Sequence, residues 1–304
     1  MASTVINRCP RCGNDNRIDS YVCAFCGKRL RIEKIENYSI FKRIESEWIS
    51  PAPWYIKILW LFIKPNKAFW DINHKRDKSP GYYILLFNSL LYGLLGVAFF
   101  SHFNIINYPA FAPILFLYNL SIFLAFFIFG AIFYFIFGLI MIWLFSRGAN
   151  IAVNFSERLE ARFGVGQQEV KYREEEMSPF SIYKGGTLQQ QQAHKYKMMF
   201  CAFTPFLFIN LIEILIVLAA FPTVSMDVLG FFNPSVLVPM FSSPTWTVLH
   251  IIDALTLAIW VPLLISFSIR ELSNSSTFRV LISSISIGVI VSILFYFLRP
   301  TIIG

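Results

Sequence analysis

The sequence predicts an all-α polytopic membrane protein with five transmembrane helices and a small N-terminal four-cysteine zinc ribbon. Three observations support this prediction. The chain is 56% hydrophobic and only 14% charged, whereas soluble domains are typically about 25% charged. Five apolar runs from residue 83 onward are each long enough to cross a bilayer, which takes about 20 helical residues. Two Cys-x-x-Cys pairs lie near the start of the chain.

The two cysteine pairs have the spacing of a closed tetrahedral metal site. They consist of Cys9, Cys12, Cys23 and Cys26. Two intervening residues let both sulfurs of a pair reach one ion from a tight turn, and four thiolates suit structural zinc. A glycine follows each pair, which permits positive φ, and the ten-residue spacer suffices for a hairpin over 14–22. Two disulfides and a redox dithiol are the alternatives, although a redox pair is expected beside a βαβ unit. Because residues 1–30 are too few to bury a core, zinc is expected to supply their folding energy.

Residues 31–82 are predicted to form an amphipathic linker between the ribbon and the membrane. Apolar residues recur at approximately helical spacing over 30–48, which predicts a helix. The stretch 51–81 mixes tryptophans with lysines, and this mixture favours helices that lie in the membrane interface. Pro65 is expected to divide these helices. A soluble pair of amphipathic helices is the alternative.

The membrane domain, 83–304, is expected to contain five spans. They are predicted near 83–101, 113–145, 198–221, 246–268 and 278–298, and the second must tilt or project because it is overlong. Loops 102–112 and 222–245 contain no Lys or Arg, whereas loop 147–197 contains eight. Under the positive-inside rule this alternation predicts a multi-pass protein with a cytoplasmic N-terminus and its C-terminus on the far side. A cytoplasmic ribbon would also keep its cysteines reduced.

Five polar residues within spans two to four are expected at similar depth. They are Asn119, Asn210, Glu213, His250 and Asp253. Ionisable groups within a membrane are costly and need a partner or a function. One interpretation is a polar latch with a neutral carboxyl group hydrogen-bonded between helices. The other is a proton or cation site in a small transporter or channel.

Small residues recur every four positions in span five, at Ser284, Gly288 and Ser292. They line one side of the helix, and small side chains let helix backbones approach closely in lipid. Ile285 and Val289 lie on the opposite, bulky face. We expect the small face to pack against a helix of this chain or of a second copy. Packing against a second copy would make a homo-oligomer.

Three stretches together resemble the Yip family of five-span membrane proteins. They are IKPNKAFWDINHKRDKSPGYYILLFNSLLYGLLGV, GGTLQQQQAHKYKMMFCAFTPFLF and WTVLHIIDALTLAIWVPLLISFSIRELSNSSTFRVLIS. The resemblance spans roughly residues 55–300, and the leading ribbon is similar to prokaryotic, archaeal-type members. It implies a protein without enzymatic activity that acts through membrane lipids and a cytoplasmic protein partner. The Asp-Leu-x-Gly-Pro stretch of eukaryotic members is missing, which leaves a Rab-type GTPase partner without support.

The rest of the chain shows no pattern typical of an enzyme or of a nucleic-acid-binding protein. The sequence contains no Ser/His/Asp order, phosphate-binding loop or set of catalytic metal ligands. Basic residues around the ribbon are sparsely interleaved with aromatic ones, so nucleic acid is not expected as a partner. The resulting hypothesis is an interaction protein, and a small transporter with an intramembrane polar site is the alternative.

Overall fold

A computed structural model describes residues 7–23, 25–44, 51–74, 79–106, 112–163, 188–227 and 238–303. Five helices in these ranges are long and apolar enough to cross a membrane: Gly81–Phe100, Leu115–Val153, Gln192–Ala220, Val238–Ser273 and Thr277–Phe297. Together with a cluster of the four N-terminal cysteines, they confirm the predicted fold class. The acidic run 174–176 and the glycine pair 185–186 of the predicted loop 147–197 lie outside the described residues.

The secondary structure is almost entirely helical. The described strands are β1 (Asn7–Arg8), β2 (Asp15–Asn16), β3 (Phe103–Ile106) and β4 (Val224–Asp227). The α-helices are α1 (Trp54–Ile63), α2 (Pro65–His74), α3 (Gly81–Phe100), α4 (Ala112–Val153), α5 (Phe155–Phe163), α6 (Leu188–Phe200), α7 (Pro205–Ala220), α8 (Val238–Phe241), α9 (Thr245–Leu255), α10 (Val261–Ser273) and α11 (Thr277–Ile303).

The chain forms two compact units that cut across the long helices. The first unit comprises Met1–Tyr82, Met141–Ala202 and Pro262–Ile287, and the second comprises Tyr83–Ile140, Phe203–Val261 and Gly288–Gly304. The sequence-based division places boundaries after residues 30 and 82. In the structure, the ribbon and the linker belong to the same unit as the end of α4, most of α10 and the start of α11.

Helix α2 lies in the core of the first unit. Ala68, Phe69 and Ile72 are fully buried, and the Phe69 ring stacks on that of Phe267 with 6.4 Å between centroids. The neighbouring helix α1 is different, because its residues 55, 59 and 63 are exposed apolar side chains on one face. The expected division at Pro65 is present, since α1 ends at Ile63 and α2 begins at Pro65.

The helix predicted over 30–48 does not form in the described part of that stretch, and residues 45–50 lie outside it. Only one 3-10 turn is present, at Lys34–Asn37. Glu33 and Glu36 point their carboxylates at groups up to 245 positions away in the sequence. Such tertiary bonds outweigh helix propensity, since short helices are marginal without packing.

Aromatic side chains fill the second unit. Gly96 of α3 faces Phe126 of α4, where an added Cβ would lie 2.7 Å from the Phe126 Cβ. Glycine therefore allows these two helices to approach closely. A separate core of buried residues joins α3, α7 and α9, namely Ala98, Val217, Phe221, Val224, Met240 and Leu249. Strands β3 and β4 pair in parallel beside it, which brings the two loops without Lys or Arg together.

Spans two and four end later than predicted, at Val153 and Ser273, and spans three and four are interrupted. Helix α4 continues past residue 145 to Val153, and Asn154 with φ 53° follows it, because asparagine tolerates the left-handed conformation. Span three contains a 3-10 turn at Cys201–Phe203, just before Pro205. Span four contains a π-helical turn at Thr256–Trp260, just before Pro262, whose missing N–H breaks the regular hydrogen-bond pattern.

Candidate metal centre and intramembrane polar cluster

The four predicted cysteines converge on one point. All four Sγ atoms lie within 4.8 Å of one another. The Cys9–Cys26 and Cys12–Cys23 sulfur pairs are each 3.6 Å apart, and all four thiols are free of disulfides. Tetrahedral zinc with zinc–sulfur bonds of about 2.3 Å places its sulfurs about 3.8 Å apart. The donor set and its spacing therefore fit a four-thiolate metal ion.

Two similar turns present these sulfurs. The amide of Gly13 donates to the Cys9 carbonyl at 2.9 Å, and that of Gly27 donates to the Cys23 carbonyl at 3.0 Å. Both glycines have positive φ, 71° and 69°, as the sequence predicts. The proposed hairpin over 14–22 is wrong, because β2 pairs with β1 around the first turn and Val22 pairs with Arg29 around the second. Backbone pairing of the segments on either side of each turn therefore fixes the position of its two cysteines.

Hydrogen bonds and burial change the pKa values of the clustered thiols. The Asn16 side-chain amide donates to the Cys23 sulfur at 3.5 Å. Burial raises the pKa of the Cys9 thiol, but hydrogen bonds from the backbone amides of Cys12 and Arg11 outweigh it and lower the pKa to about 7. Burial and the neighbouring sulfurs raise the pKa of Cys26 to about 12. Four thiols this close cannot all ionise unless a cation balances them, and such a cation would release their protons.

The ribbon is attached to the segment that connects the last two spans. The Val22 amide donates to Asn274 Oδ1 at 3.0 Å, and Asn274 Nδ2 donates back to the Val22 carbonyl at 2.7 Å. Asn274 has φ 49°, a conformation that turns the chain between α10 and α11. This reciprocal pair of bonds fixes the second cysteine turn against that connection.

The linker adds a buried ionic network to the same attachment. Glu36 Oε1 accepts from Arg43 Nε at 2.6 Å and from Thr277 Oγ1 at 3.2 Å, and its Oε2 accepts from Arg29 at 3.1 Å. The Arg43 guanidinium also donates to the Ser275 carbonyl. Because Glu36 and Arg43 are almost fully buried, each charge depends on these partners.

Glu33 caps the N-terminus of α11. Its Oε2 accepts from the amides of Thr277 at 2.8 Å and Phe278 at 3.2 Å. Burial raises the pKa of this carboxyl, but hydrogen bonds from Ser276, Tyr21 and those two amides outweigh burial and lower it below its usual value. The start of the last span therefore depends on a linker side chain.

A second contact joins the ribbon to α5. Arg17 of the ribbon pairs with Glu157 at 3.1 Å, and Arg158 pairs with Asp19. The two arginine–carboxylate pairs run in opposite directions, so each partner supplies one of each charge. The ribbon is thus attached both after α4 and before α11.

The five predicted intramembrane polar residues are only partly brought together. The Asn210 side-chain amide donates to the Tyr134 hydroxyl at 2.8 Å and to Asn88 Oδ1 at 3.0 Å. The carboxyl groups of Glu213 and Asp253 both interact electrostatically with the Tyr134 hydroxyl. Asn210 therefore bonds directly to Tyr134 and Asn88, and Glu213 and Asp253 act on the same hydroxyl electrostatically.

His250 and Asn119 take different positions. The His250 ring is buried and lies 6.4 Å from the Trp246 ring between centroids. Asn119 is half-buried, and within the described residues it has no hydrogen bond to the other four. Asn119 lies about four turns from Tyr134 along α4, too far to reach it.

Sequence reasoning missed Asn88 and Tyr134. Both are buried, and both belong to long apolar runs. A lone Asn or Tyr in such a run is common at helix interfaces and membrane boundaries, so no sequence signal separated these two from the others. They form hydrogen bonds with Asn210 because α3, α4 and α7 pack against one another.

The small residues of span five lie on a buried face. Ser284, Gly288 and Ser292 are buried, whereas Ile285 and Val289 are about 40% exposed. The Ser292 hydroxyl donates to the Ala254 carbonyl at 2.7 Å. This bond places α11 beside the end of α9 within the second unit.

Fold and site together define a multi-pass integral membrane protein with an N-terminal cluster of four cysteines whose spacing fits a metal ion. Comparison with known proteins leaves the class at this level, because no protein-family model, curated protein or solved structure matches the chain.

Proposed function

We propose that this protein is a non-enzymatic, Yip-type integral membrane protein that acts through interactions on the cytoplasmic side, where its cysteines hold structural zinc. The three stretches described above support the family, and the Lys/Arg alternation supports the orientation. Four thiolates fill a tetrahedral site, so zinc bound there has no open position for catalysis. The ion holds the ribbon in shape, and a protein partner binds the ribbon.

The attachment of the ribbon to 274–277 is the observation that carries this proposal. A flexibly tethered adaptor would need no bonds to the membrane domain. Here Val22, Glu33 and Arg43 all bond to the segment that connects the last two spans. A partner bound to the ribbon therefore acts on the ends of α10 and α11.

Metal analysis tests the zinc assignment. We expect about one zinc per chain in protein purified under reducing conditions, and we expect Cys23→Ser to bring it close to zero because Cys23 is fully buried in the cluster. Cys201→Ser is the matched control, since Cys201 lies at the break in span three and should keep full metal content. A wild-type protein without metal would contradict the assignment.

Crosslinking from native membranes tests the interaction role. A photoreactive residue at Ile18, which is 47% exposed on the ribbon, should capture a discrete protein partner. Arg11→Glu should abolish this product without loss of zinc, because Arg11 is exposed on the ribbon surface. Lys42→Glu, exposed on the linker, should not. Products that are the same in all three proteins would contradict partner binding by the ribbon.

A small transporter is the second candidate, and the interrupted helices favour it. Spans three and four each depart from α-helical geometry, and the π-helical turn begins three residues after Asp253. Interrupted spans beside ionisable groups are typical of transporter binding sites. Proton or cation flux in proteoliposomes that is lost in Glu213→Gln would replace the interaction proposal. Absence of flux in both proteins would remove the transporter.

A further inference from the structure

A groove of about 530 Å³ lies between the end of α4 and the start of α11. Both walls belong to the first unit. The helices approach each other closely at Gly148, where an added Cβ would lie 2.9 Å from Ser283 Oγ and closer still to Ile287 Cδ1. Gly148 lines the groove, and a larger residue there would collide with the side chains of Ile287 and Ser283.

The groove combines two positive charges with exposed apolar walls. Arg147 and Arg279 both line it and are exposed. Within the described residues, no carboxylate lies within 4.0 Å of either guanidinium. Beside them, Ile151 is 90% exposed and Ile282 is 50% exposed. Exposed arginines without a carboxylate partner in the described ranges, next to exposed apolar side chains, match an amphiphile with an anionic head.

The position of the groove selects the source of this amphiphile. Its walls belong to the segments Leu115–Val153 and Thr277–Phe297, which are long and apolar enough to cross a membrane. The Arg147 guanidinium lies 5.6 Å from the centre of the Trp143 ring, and Trp–Arg pairs of this kind are typical of the lipid headgroup level. An acidic peptide would neutralise the arginines but leave the isoleucines uncovered. A phospholipid satisfies both.

We propose that this groove binds one anionic phospholipid. The guanidinium groups of Arg147 and Arg279 hold its phosphate, because arginine forms paired charge-assisted hydrogen bonds with phosphate oxygens. The acyl chain lies against Ile282 and the neighbouring apolar wall. Basic pockets between membrane helices are a recurrent form of lipid headgroup site. The bound lipid would join the ribbon-bearing ends of α4 and α11.

Native mass spectrometry of the full chain tests this proposal, with phosphatidylglycerol and phosphatidylcholine as probes. We expect one retained phosphatidylglycerol per chain, and we expect Arg147→Gln with Arg279→Gln to weaken its binding by about tenfold or more. Arg31→Gln with Lys34→Gln is the matched control, because it removes two charges from exposed linker positions. Zinc content and melting temperature should be the same in all variants, and Arg147→Lys should retain part of the binding.

Each other outcome overturns the proposal. Equal binding of the two lipids would show an apolar groove without headgroup recognition. Equal loss in the groove variant and in the linker control would show only general electrostatic attraction. Displacement of the lipid by millimolar inorganic phosphate would show a site for a free anion. If the groove variant keeps its metal and fold and binds phosphatidylglycerol as well as wild type, the arginines have no part in lipid binding.

Discussion

The two units satisfy their buried polar groups by different means. All but four of the charged residues of the chain belong to the first unit. There, Lys57 has no exposed surface and pairs with Asp71 at 3.0 Å, and Arg270 pairs with Glu271 at 2.9 Å. In the second unit, the described contacts of Asn210 use the neutral groups of Tyr134 and Asn88.

The difference follows from the cost of burying charge. A buried ion pair stabilises the folded state no more than an apolar pair of similar volume. Removal of one partner alone destabilises it strongly, because the other charge stays buried without its counterion. A neutral amide or hydroxyl that loses its partner leaves only an unsatisfied dipole. The first unit should therefore be fragile toward single substitutions at its charged contacts, and the second unit should tolerate loss of a single neutral polar group such as the Tyr134 hydroxyl.

The largest effect is expected from Lys57→Met. It leaves the Asp71 carboxylate buried without its cation, which should lower the free energy of unfolding by about 3–5 kcal/mol. Thermal unfolding in detergent measures this change. Lys64→Met, on an exposed side chain next to the same helices, is the control and should have little effect. The double variant Lys57→Met with Asp71→Leu should recover most of the loss. If stability is not recovered, the loss in Lys57→Met does not come from the unpaired Asp71 charge.

A smaller effect is expected from Glu33→Gln. Loss of the charged cap of α11 should lower stability by about 1 kcal/mol at neutral pH. Because the pKa of Glu33 is lowered in the folded state, its stabilisation is complete above the usual carboxyl pKa and is lost as pH falls through the folded value. The stability difference between wild type and variant should therefore shrink to zero in acid.

Asp15→Asn serves as the control for this pH dependence. Asp15 is exposed on β2, and its replacement should change the free energy of unfolding little. A Glu33→Gln curve that runs parallel to wild type at every pH would mean that the Glu33 charge does not stabilise the helix start.

The smallest effect is expected in the second unit, from Tyr134→Phe. It removes one hydroxyl that is hydrogen-bonded to Asn210, and such bonds between membrane helices contribute about 0.6 kcal/mol on average. Tyr118→Phe, also in α4 but without a hydrogen bond within the described residues, is the matched control. A loss for Tyr134→Phe as large as that for Lys57→Met would refute the contrast between the units.

The sequence by itself determined the fold class and the four cysteines that cluster. Apolar runs of membrane-spanning length are a local property that needs no partner to be recognised. The spacing of Cys9, Cys12, Cys23 and Cys26 is likewise local within each pair, and glycine after each pair predicted its positive φ. The sulfurs then converge as the pattern indicates.

Only the tertiary structure decided how charges and polar groups are used. The stretch 30–48 has helical periodicity, yet Glu33 and Glu36 bond to Thr277 instead. Lys57 looks like a headgroup-facing lysine, yet it is buried because Asp71 of the next helix faces it. The positions of these charged side chains depend on partners that are distant in sequence or on a neighbouring helix. The local sequence around a charged residue does not indicate which residue will be its partner. The spacing of cysteines and apolar residues can be read from the sequence, whereas ion pairs and hydrogen bonds between distant residues form only when the helices pack together.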